Sequence, residues 1–306
     1  MSRSGHLTLW VPDLEALLQE AGDAIPPQVK RFRRLGRRTA LDPEKGGSDL
    51  VVAGGLAAAA ASRYFDVPAS GLDSGAIWMR ADPVMLKADL RSVWIQPSVA
   101  QNAAEAVECL RPIFSEFGTT LDFPHRERGY LRLTKLPACH FPTPDQVAGE
   151  SMEAHLPEGP DQMLWRRLGN EVQMALHALS RDKEPGFQGL WFWGPGALPP
   201  MEKARPLVDW VAGHDPVLSG AAGWASLPCL ERSENKSPRV LPRGSGLIEW
   251  TANPSLTARE NLTALAKHLG CWLGSLRRGQ IASLSLAGPS QMHTLGWLRS
   301  WWPLVR

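Results

Sequence analysis

The segment LTLWVPDLEALL, residues 7–18, decides the fold class that the sequence predicts. It opens with a short apolar run that stops at Pro12, and Leu14, Leu17 and Leu18 then follow at helical spacing. A short apolar run before a proline is typical of a strand, and leucines three and four residues apart are typical of a helix. We therefore predict a strand that is followed directly by a helix.

The same order of elements recurs along the chain. Short runs rich in apolar, β-branched or aromatic residues predict strands at residues 76–79, 92–95, 119–123, 130–134, 189–193, 207–211 and 247–251. Apolar residues at helical spacing predict helices at residues 50–65, 99–117, 164–179 and 257–276. Because strands and helices alternate over most of the length, we predict an α/β protein.

Length allows two interpretations of the domain organisation. A chain of 306 residues is near the upper limit for one hydrophobic core, so we predict a single α/β domain over residues 1–306. The alternative is two lobes, residues 1–136 and 161–306, which are joined by the Pro-rich segment 137–160.

Composition limits the classes of partner and compartment, and any anion-binding site must be local. The chain has 33 Lys plus Arg against 31 Asp plus Glu, a formal charge of +2, so it has no overall field for nucleic acid or an anionic membrane. No apolar run reaches about 18 residues, and the first residues are too short and polar for a signal peptide, so we expect a cytoplasmic protein. The four cysteines lie far apart without metal-ligand spacing, and we expect reduced, buried thiols.

Basic residues are concentrated in residues 30–38. Six of these nine positions are basic: Lys30, Arg31, Arg33, Arg34, Arg37 and Arg38. Phe32 and Leu35 interrupt the run, as in a helix with one solvated face. The other interpretation is a local patch for phosphate groups or an acidic partner.

Two groups of residues are candidates for a binding site. Asn170, Gln173 and His177 lie at positions i, i+3 and i+7, so a helix places them on one face. Such a stripe either binds a ligand or hydrogen-bonds neighbouring backbone. The turn of Trp193, Gly194, Pro195 and Gly196 follows an apolar strand, and α/β sheets bind ligands beyond the carboxyl ends of strands. Glycines allow close approach of a ligand, although they also simply form turns. A third candidate is Arg80 and Asp82, in a predicted polar turn that precedes Pro83.

Metal ligands are sparse in the sequence. His214 and Asp215 are adjacent and follow a predicted strand, but two-metal catalysis needs several converging carboxylates and imidazoles. The motifs of nucleophile-elbow hydrolases, P-loop kinases, dinucleotide-binding enzymes and zinc proteases do not occur. We therefore expect no catalytic residue and no resident cofactor.

Several stretches carry a resemblance to a known family. They are WMRADPVMLKAD at residues 78–89, WRRLGNEVQMALH at 165–177, LWFWGPGALP at 190–199, LRRGQI at 276–281 and WLRSWW at 297–302. Together they resemble the phosphoglycerate-mutase-like family of Rpf-type (RpfE-type) regulatory proteins of proteobacteria. That family is distantly similar to archaeal-type cofactor-independent phosphoglycerate mutases. The resemblance implies an alkaline-phosphatase-like sandwich, an α/β fold with a largely parallel central sheet flanked by helices.

Resemblance to the mutases does not extend to their metal ligands. Those enzymes have an aspartate-glycine motif after the first strand, where this chain has WVPD at residues 10–13. Their late His and Asp cluster corresponds to a region that offers Glu249 and Glu260. Asp13 alone cannot hold two metal ions.

These observations lead to three hypotheses. The first is a non-catalytic regulatory or binding protein that binds a partner protein or a small anionic metabolite. Its pocket is predicted to contain Arg80, Asp82, Asn170, Gln173, His177, Trp193, Gly194 and Gly196, with Arg80 holding the anion, the amides and imidazole orienting it and Trp193 forming a wall. The second is a phosphoryl-transfer enzyme that binds manganese or zinc through Asp13, Asp82, His214 and Asp215. The third is nucleic-acid binding through residues 30–38.

Overall fold

The chain divides into two compact units. A computed structural model describes residues 5–67, 75–88, 92–147, 150–179, 186–230 and 242–297. We call residues 1–55 together with 203–306 the terminal unit, and residues 56–202 the central unit. In the last stretch of the resemblance, residues 297–302, all residues after Trp297 lie outside the described residues.

Strands and helices occur in both units. The strands are β1 (His6–Trp10), β2 (Arg37–Ala40), β3 (Ile77–Ala88), β4 (Val93–Pro97), β5 (Thr120–His125), β6 (Arg128–Leu133), β7 (Gly189–Gly196), β8 (Trp210–Ala212), β9 (Cys229–Leu230), β10 (Gly246–Glu249), β11 (Ser283–Ala287) and β12 (Gln291–Gly296). The helices are α1 (Leu14–Ala21), α2 (Pro27–Leu35), α3 (Ala58–Asp66), α4 (Ala103–Glu116), α5 (Pro144–Val147), α6 (Gln162–Leu179), α7 (Pro216–Trp224) and α8 (Ala258–Arg277).

The terminal unit is built on a seven-stranded sheet in the order β2-β12-β11-β1-β10-β8-β9. Within the run β11-β1-β10-β8-β9, each strand is parallel to the next. β12 is antiparallel to both β11 and β2. Leu7, Thr8 and Leu9 of β1 are all buried, as expected for a parallel strand that is covered on both faces. The predicted order of strand and helix at residues 7–18 is confirmed by β1 and α1.

Helix α8 shows how the sequence builds this unit. Thr257 and Glu260 form a capping box, which satisfies backbone N–H groups in the first turn. Buried side chains then recur every three or four residues, at Leu262, Leu265, Leu269, Trp272 and Leu276. This stripe packs in the core with residues from α1, α2 and the sheet.

The central unit contains an antiparallel sheet in the order β4-β3-β6-β5, and β7 pairs with β3. Two residues join β5 to β6, and so short a connection permits only antiparallel pairing. The α/β class is confirmed, but the strand arrangement is mixed. The largely parallel sheet that the resemblance implies describes β11-β1-β10-β8-β9 and not the central unit.

The units do not coincide with the predicted single domain or with the predicted lobes. Segment 137–160 lies inside the central unit instead of between two lobes. The division falls near residues 55 and 203 because the chain returns to the first sheet, where β10 pairs with β1. Pairing between strands so distant in sequence leaves no signal in local composition.

Two local predictions were wrong. The predicted turn at residues 80–83 lies inside the continuous strand β3, where the fixed φ of Pro83 fits extended backbone and its carbonyl accepts a hydrogen bond from the Ser98 N–H at 2.9 Å. The predicted helix over residues 50–65 begins at α3, because Gly54 (φ 85°) and Gly55 (φ 65°) adopt left-handed backbone that a helix excludes.

Candidate functional site

A groove of about 230 Å³ lies in the central unit, between α6, β7 and the neighbouring ends of β3 and β4. Its volume equals that of about eight water molecules at liquid density, which suits a compact organic molecule. Val84, Leu86 and Ile95 contribute apolar surface from β3 and β4. Leu86 and Ile95 are partners across the antiparallel pair, so the strand register itself places them together.

Aromatic side chains form a further part of the groove lining. Trp165 of α6 and Phe192 of β7 have ring centroids 5.5 Å apart in an edge-to-face arrangement. Phe141 lies edge-on to Trp165 at 5.1 Å. The indole Nε1–H of Trp191 donates to the Pro142 carbonyl at 2.9 Å. These contacts hold the rings in place, so the groove keeps its shape without a ligand.

Two of the three residues in the predicted stripe line this groove. Trp165, Leu168, Val172 and Leu176 are buried and define the core-facing side of α6. Beside that side, Asn170 and Gln173 reach the groove with exposed amides. His177, one turn further along α6, is exposed and does not line the groove.

Arg166 and His155 also line the groove, and both were missed from the sequence. The Arg166 Nη2 donates to the Pro157 carbonyl at 3.2 Å, while its Nε–H is buried and has no acceptor among the described residues. The Nε2 of His155 lies 2.7 Å from Glu150 Oε2. Arg166 could have been found, because it stands four residues before Asn170 on the same helical stripe.

Two glycines keep the groove open. Gly169 lies on α6 and Gly189 on β7, and both line the groove. A Cβ added at Gly169 meets no heavy atom within 4 Å, and one added at Gly189 comes 3.5 Å from Val84. A larger side chain at Gly169 would therefore enter open space instead of clashing with the protein.

Another hollow, of about 280 Å³, lies between α4 and β5. Its lining includes Phe114 and Arg111. Arg111 already forms an exposed ion pair with Glu108. This hollow therefore offers less aromatic surface and no guanidinium that lacks a carboxylate.

Arg80, Asp82 and Trp193 form a buried cluster, and none of them lines the groove. Arg80 donates from Nε and Nη2 to the two oxygens of Asp82, each at 2.8 Å, and the Trp193 Nε1–H donates to Asp82 Oδ2 at 2.7 Å. Burial raises the pKa of Asp82 above its ordinary value, although the charge of Arg80 and both hydrogen-bond donors oppose the shift. Because Trp193 of β7 donates to Asp82 of β3, this cluster ties the two strands together.

Gly194 and Gly196 allow a close approach between β7 and the start of α3. Their φ angles are 61° and 155°, in the range that favours glycine. A Cβ at Gly194 would lie 3.0 Å from the Ala58 Cβ, and one at Gly196 would lie 2.5 Å from the Ala57 Cβ. The geometry of both glycines is thus that of helix–strand packing.

A second buried ion pair, which the sequence did not reveal, lies beside the first. Arg128 donates from Nε and Nη2 to Asp66 at 2.8 and 2.7 Å, and the Tyr130 hydroxyl donates to Asp66 at 2.6 Å. Burial alone would raise the pKa of Asp66, but hydrogen bonds from Arg128 and Tyr130 and the charge of Arg128 lower it below its ordinary value. The Arg63 guanidinium lies 4.7 Å from the ring centroid of Trp78.

The weak metal candidates are divided between the two units. Asp82 belongs to the central unit, and Asp13, His214 and Asp215 belong to the terminal unit. Asp215 caps α7 by accepting from the Leu218 N–H at 2.8 Å, and Glu249 accepts from the backbone N–H groups of His214 and Asp215. Burial raises the pKa of Asp13. Within the ranges that the structure describes, no three His, Cys, Asp or Glu side chains are arranged to hold a metal ion.

The basic segment forms α2 and the edge strand β2. Phe32 is buried, whereas Arg34, Arg37 and Arg38 are exposed. Lys30 Nζ donates to the Asp23 carbonyl at 2.9 Å. Positive charge on an edge strand also discourages pairing with other chains.

Two further expectations concern the whole chain. All four cysteines are free, but the prediction that they are buried was wrong, because Cys229 and Cys271 are exposed and Cys109 and Cys139 are only partly buried. Among the described helices, none combines the length and the apolar character that crossing a bilayer requires.

Comparisons with known proteins give only distant likenesses. The sequence matches no protein-family model and no curated protein. The structure is similar to a cofactor-independent phosphoglycerate mutase from Thermoplasma acidophilum, with 14% identity and a TM-score of 0.40 over 97% of this chain and 90% of that one. It is also similar to the PH0037 protein from Pyrococcus horikoshii, with 10% identity and a TM-score of 0.46 over 97% of this chain and 88% of that one. At these values neither likeness assigns a family or an activity to the chain.

Proposed function

We propose that the chain is a non-catalytic binding protein whose central unit takes up a small organic anion in the groove between α6 and β7. The observation that carries this proposal is the groove itself. It combines apolar and aromatic surface with a few polar side chains, which is the usual composition of small-molecule sites.

The polar groups in the groove support binding. Asn170 and Gln173 present amides, and Arg166 presents a guanidinium that has no carboxylate partner among the described residues. Amides and guanidinium groups orient and hold a ligand by hydrogen bonds. Guanidinium adds a positive charge, so an anion is favoured over a neutral molecule. A regulatory role, in which a partner protein senses whether the groove is occupied, belongs to the same proposal.

The Arg80 assignment in the predicted pocket changes in this proposal. We assign anion binding to Arg166 because Asp82 already engages the Nε and Nη2 of Arg80. The amides at positions 170 and 173 keep the orienting role that the sequence suggested. Trp165 and Trp191 take the place of Trp193 as walls.

Replacing Gly169 by leucine tests the proposal, because it fills the groove without disturbing the fold. Leucine is a good helix former, and its Cβ has open space at this position. We expect binding of 3-phenylpropionate or 2-phenylethyl phosphate, two anions with the same apolar body, to weaken by about tenfold or more, equivalent to about 1.4 kcal/mol. Isothermal titration calorimetry measures the affinities.

Two control variants separate blocking from other effects. Gly169→Ala adds one methyl group, retains binding and raises helix stability by about 1 kcal/mol. Gly270→Leu makes the same substitution at an exposed position of α8, where the Cβ also has open space, and leaves binding unchanged. The proposal is wrong if neither anion binds the unmodified protein, or if Gly169→Leu binds them as tightly as the unmodified protein does.

A further inference from the structure

We infer that the ligand of the groove is a monocarboxylate with a compact apolar or aromatic body, and that Arg166 holds its carboxylate. This inference rests on the proposed function and narrows it to one chemical class. Three observations carry it: the hydrogen bonds of the arginines in the central unit, the balance of charge in the groove, and the aromatic walls.

Other arginines of the central unit show what the Nε side of a guanidinium binds in this structure. Arg80 and Arg128 each place Nε and Nη2 on the two oxygens of one carboxylate, at 2.7–2.8 Å. Arg167, the neighbour of Arg166, directs its Nε to Glu171 at 2.6 Å. In each case a carboxylate oxygen accepts from Nε, as the fork of donors favours.

Arg63 also has a buried Nε–H without an acceptor among the described residues, but its Nη2 pairs with Asp122 at 2.7 Å. Arg166 differs from all of these arginines, because no carboxylate among the described residues pairs with its guanidinium. Its Nε–H is buried without an acceptor among the described residues, and its Nη2 donates to a carbonyl oxygen at 3.2 Å. Leaving a buried donor of a charged group without an acceptor destabilises the protein. A carboxylate in the groove supplies the missing negative charge. It becomes an acceptor for the Nε–H once the Arg166 side chain turns toward the groove, because that atom is closed to solvent in the structure.

The charge of the groove favours a carboxylate over a phosphate ester. Arg166 contributes one positive charge, and His155 is already hydrogen-bonded to Glu150. A carboxylate carries one negative charge, whereas a phosphate monoester carries about 1.5 to 2 at neutral pH. Against apolar walls, the excess charge of the phosphate would be left uncompensated and costly to desolvate.

The walls select the body of the ligand. Trp165, Trp191 and Phe192 line the groove together with Val84 and Leu86. Aromatic rings that pack edge-to-face or offset against one another gain stability beyond that of area burial. A ring joined to a carboxylate by a short apolar link therefore fits both the walls and Arg166.

Binding of four compounds tests the inference. They are 3-phenylpropionate, its neutral analogue 3-phenylpropionamide, 2-phenylethyl phosphate and inorganic phosphate. We expect the carboxylate to bind about tenfold or more tightly than each of the others, because only the carboxylate combines a single negative charge for Arg166 with an apolar body for the walls. Affinities are measured by isothermal titration calorimetry.

Variants of Arg166 assign the effect to one side chain. Arg166→Gln is expected to lower the affinity for 3-phenylpropionate about tenfold or more, and to change the affinity for 3-phenylpropionamide by less than about twofold. Arg166→Lys keeps the charge but loses the Nε–H. Its affinity for 3-phenylpropionate should lie between that of Arg166→Gln and that of the unmodified protein. Arg167→Gln is the matched control, since Arg167 is exposed and paired with Glu171 and Glu116. It should leave all four affinities unchanged, and circular dichroism checks that each variant is folded.

Failure of this inference is distinguishable from failure of the proposed function. Equal binding of the carboxylate and the amide, tighter binding of either phosphate, or unchanged carboxylate binding in Arg166→Gln would each overturn the carboxylate assignment. If Gly169→Leu still blocks binding in those cases, the groove remains the site. Absence of binding by all four compounds would overturn both.

Discussion

Replacing Asp82 by alanine is expected to lower the free energy of unfolding of the central unit by about 3–5 kcal/mol, because it leaves a buried guanidinium without its counter-charge. The side chains of Arg80 and Asp82 are only 6% and 14% exposed. Their ion pair is bidentate, and the indole of Trp193 donates a third hydrogen bond to the same carboxylate. The substitution therefore removes the acceptor for three donors at once.

Two controls make the Asp82 prediction specific. Glu108→Ala removes a carboxylate that is 65% exposed, and should cost less than about 0.5 kcal/mol. The double variant Arg80→Met with Asp82→Leu replaces the pair by apolar groups, and should recover much of the loss. Urea unfolding provides the free energies. A cost for Asp82→Ala no larger than that for Glu108→Ala would show that the buried pair does not stabilise the unit.

Replacing Asp66 by asparagine is expected to cost about 3 kcal/mol at neutral pH and to change how stability depends on acid. Asp66 is 4% exposed and accepts from Arg128 and from the Tyr130 hydroxyl. Its pKa is lowered in the folded protein, so its contribution is present above the unfolded-state pKa of about 3.9. That contribution is lost as the pH falls through the lower folded-state value.

The acid dependence distinguishes the charge of Asp66 from the shape of its side chain. Urea unfolding is measured from pH 7 to pH 3. The difference in the free energy of unfolding between the unmodified protein and Asp66→Asn should become smaller at the acid end of this range. Asparagine keeps the size of the side chain and removes the titrating group. If the two proteins differ by the same free energy at pH 7 and pH 3, the pKa of Asp66 is not lowered by its partners.

Local periodicity was sufficient to predict much of the secondary structure. The leucines at positions 14, 17 and 18 mark α1, and the spacing of Leu168, Val172 and Leu176 marks α6. These signals arise because a helix or a strand buries one face. The position of a residue within the element determines whether its side chain lies on that face. The α/β class followed from the order of such elements.

Pairing between distant segments could not be predicted in the same way. β3 pairs with β7, which lies more than a hundred residues later in the sequence. β1 pairs with β10, which follows the whole central unit in the sequence. Nothing in the local sequence at Pro83 shows that a continuous strand passes through it. The predicted turn was therefore wrong, and the two units divide the chain at other positions than the predicted lobes do.

The candidate site was predicted in part. Asn170 and Gln173 line the groove because a helical stripe is a local property. Arg80, Asp82 and Trp193 do lie together, but as a buried ion pair with an indole donor, which depends on the register of β3 against β7. His155 gave no signal, since it lies in a segment whose prolines resemble those of a linker.

Tryptophan side chains provide the most direct test of the groove as the ligand site. A ¹H–¹⁵N spectrum of the indole N–H groups, recorded as 3-phenylpropionate is added, reports on each unit separately. We expect the resonances of Trp165 and Trp191, which line the groove, to shift, while those of Trp210 and Trp250, buried in the terminal unit, stay in place. If the resonances of Trp165 and Trp191 stay in place, or if only resonances of the terminal unit shift, the groove is not the ligand site.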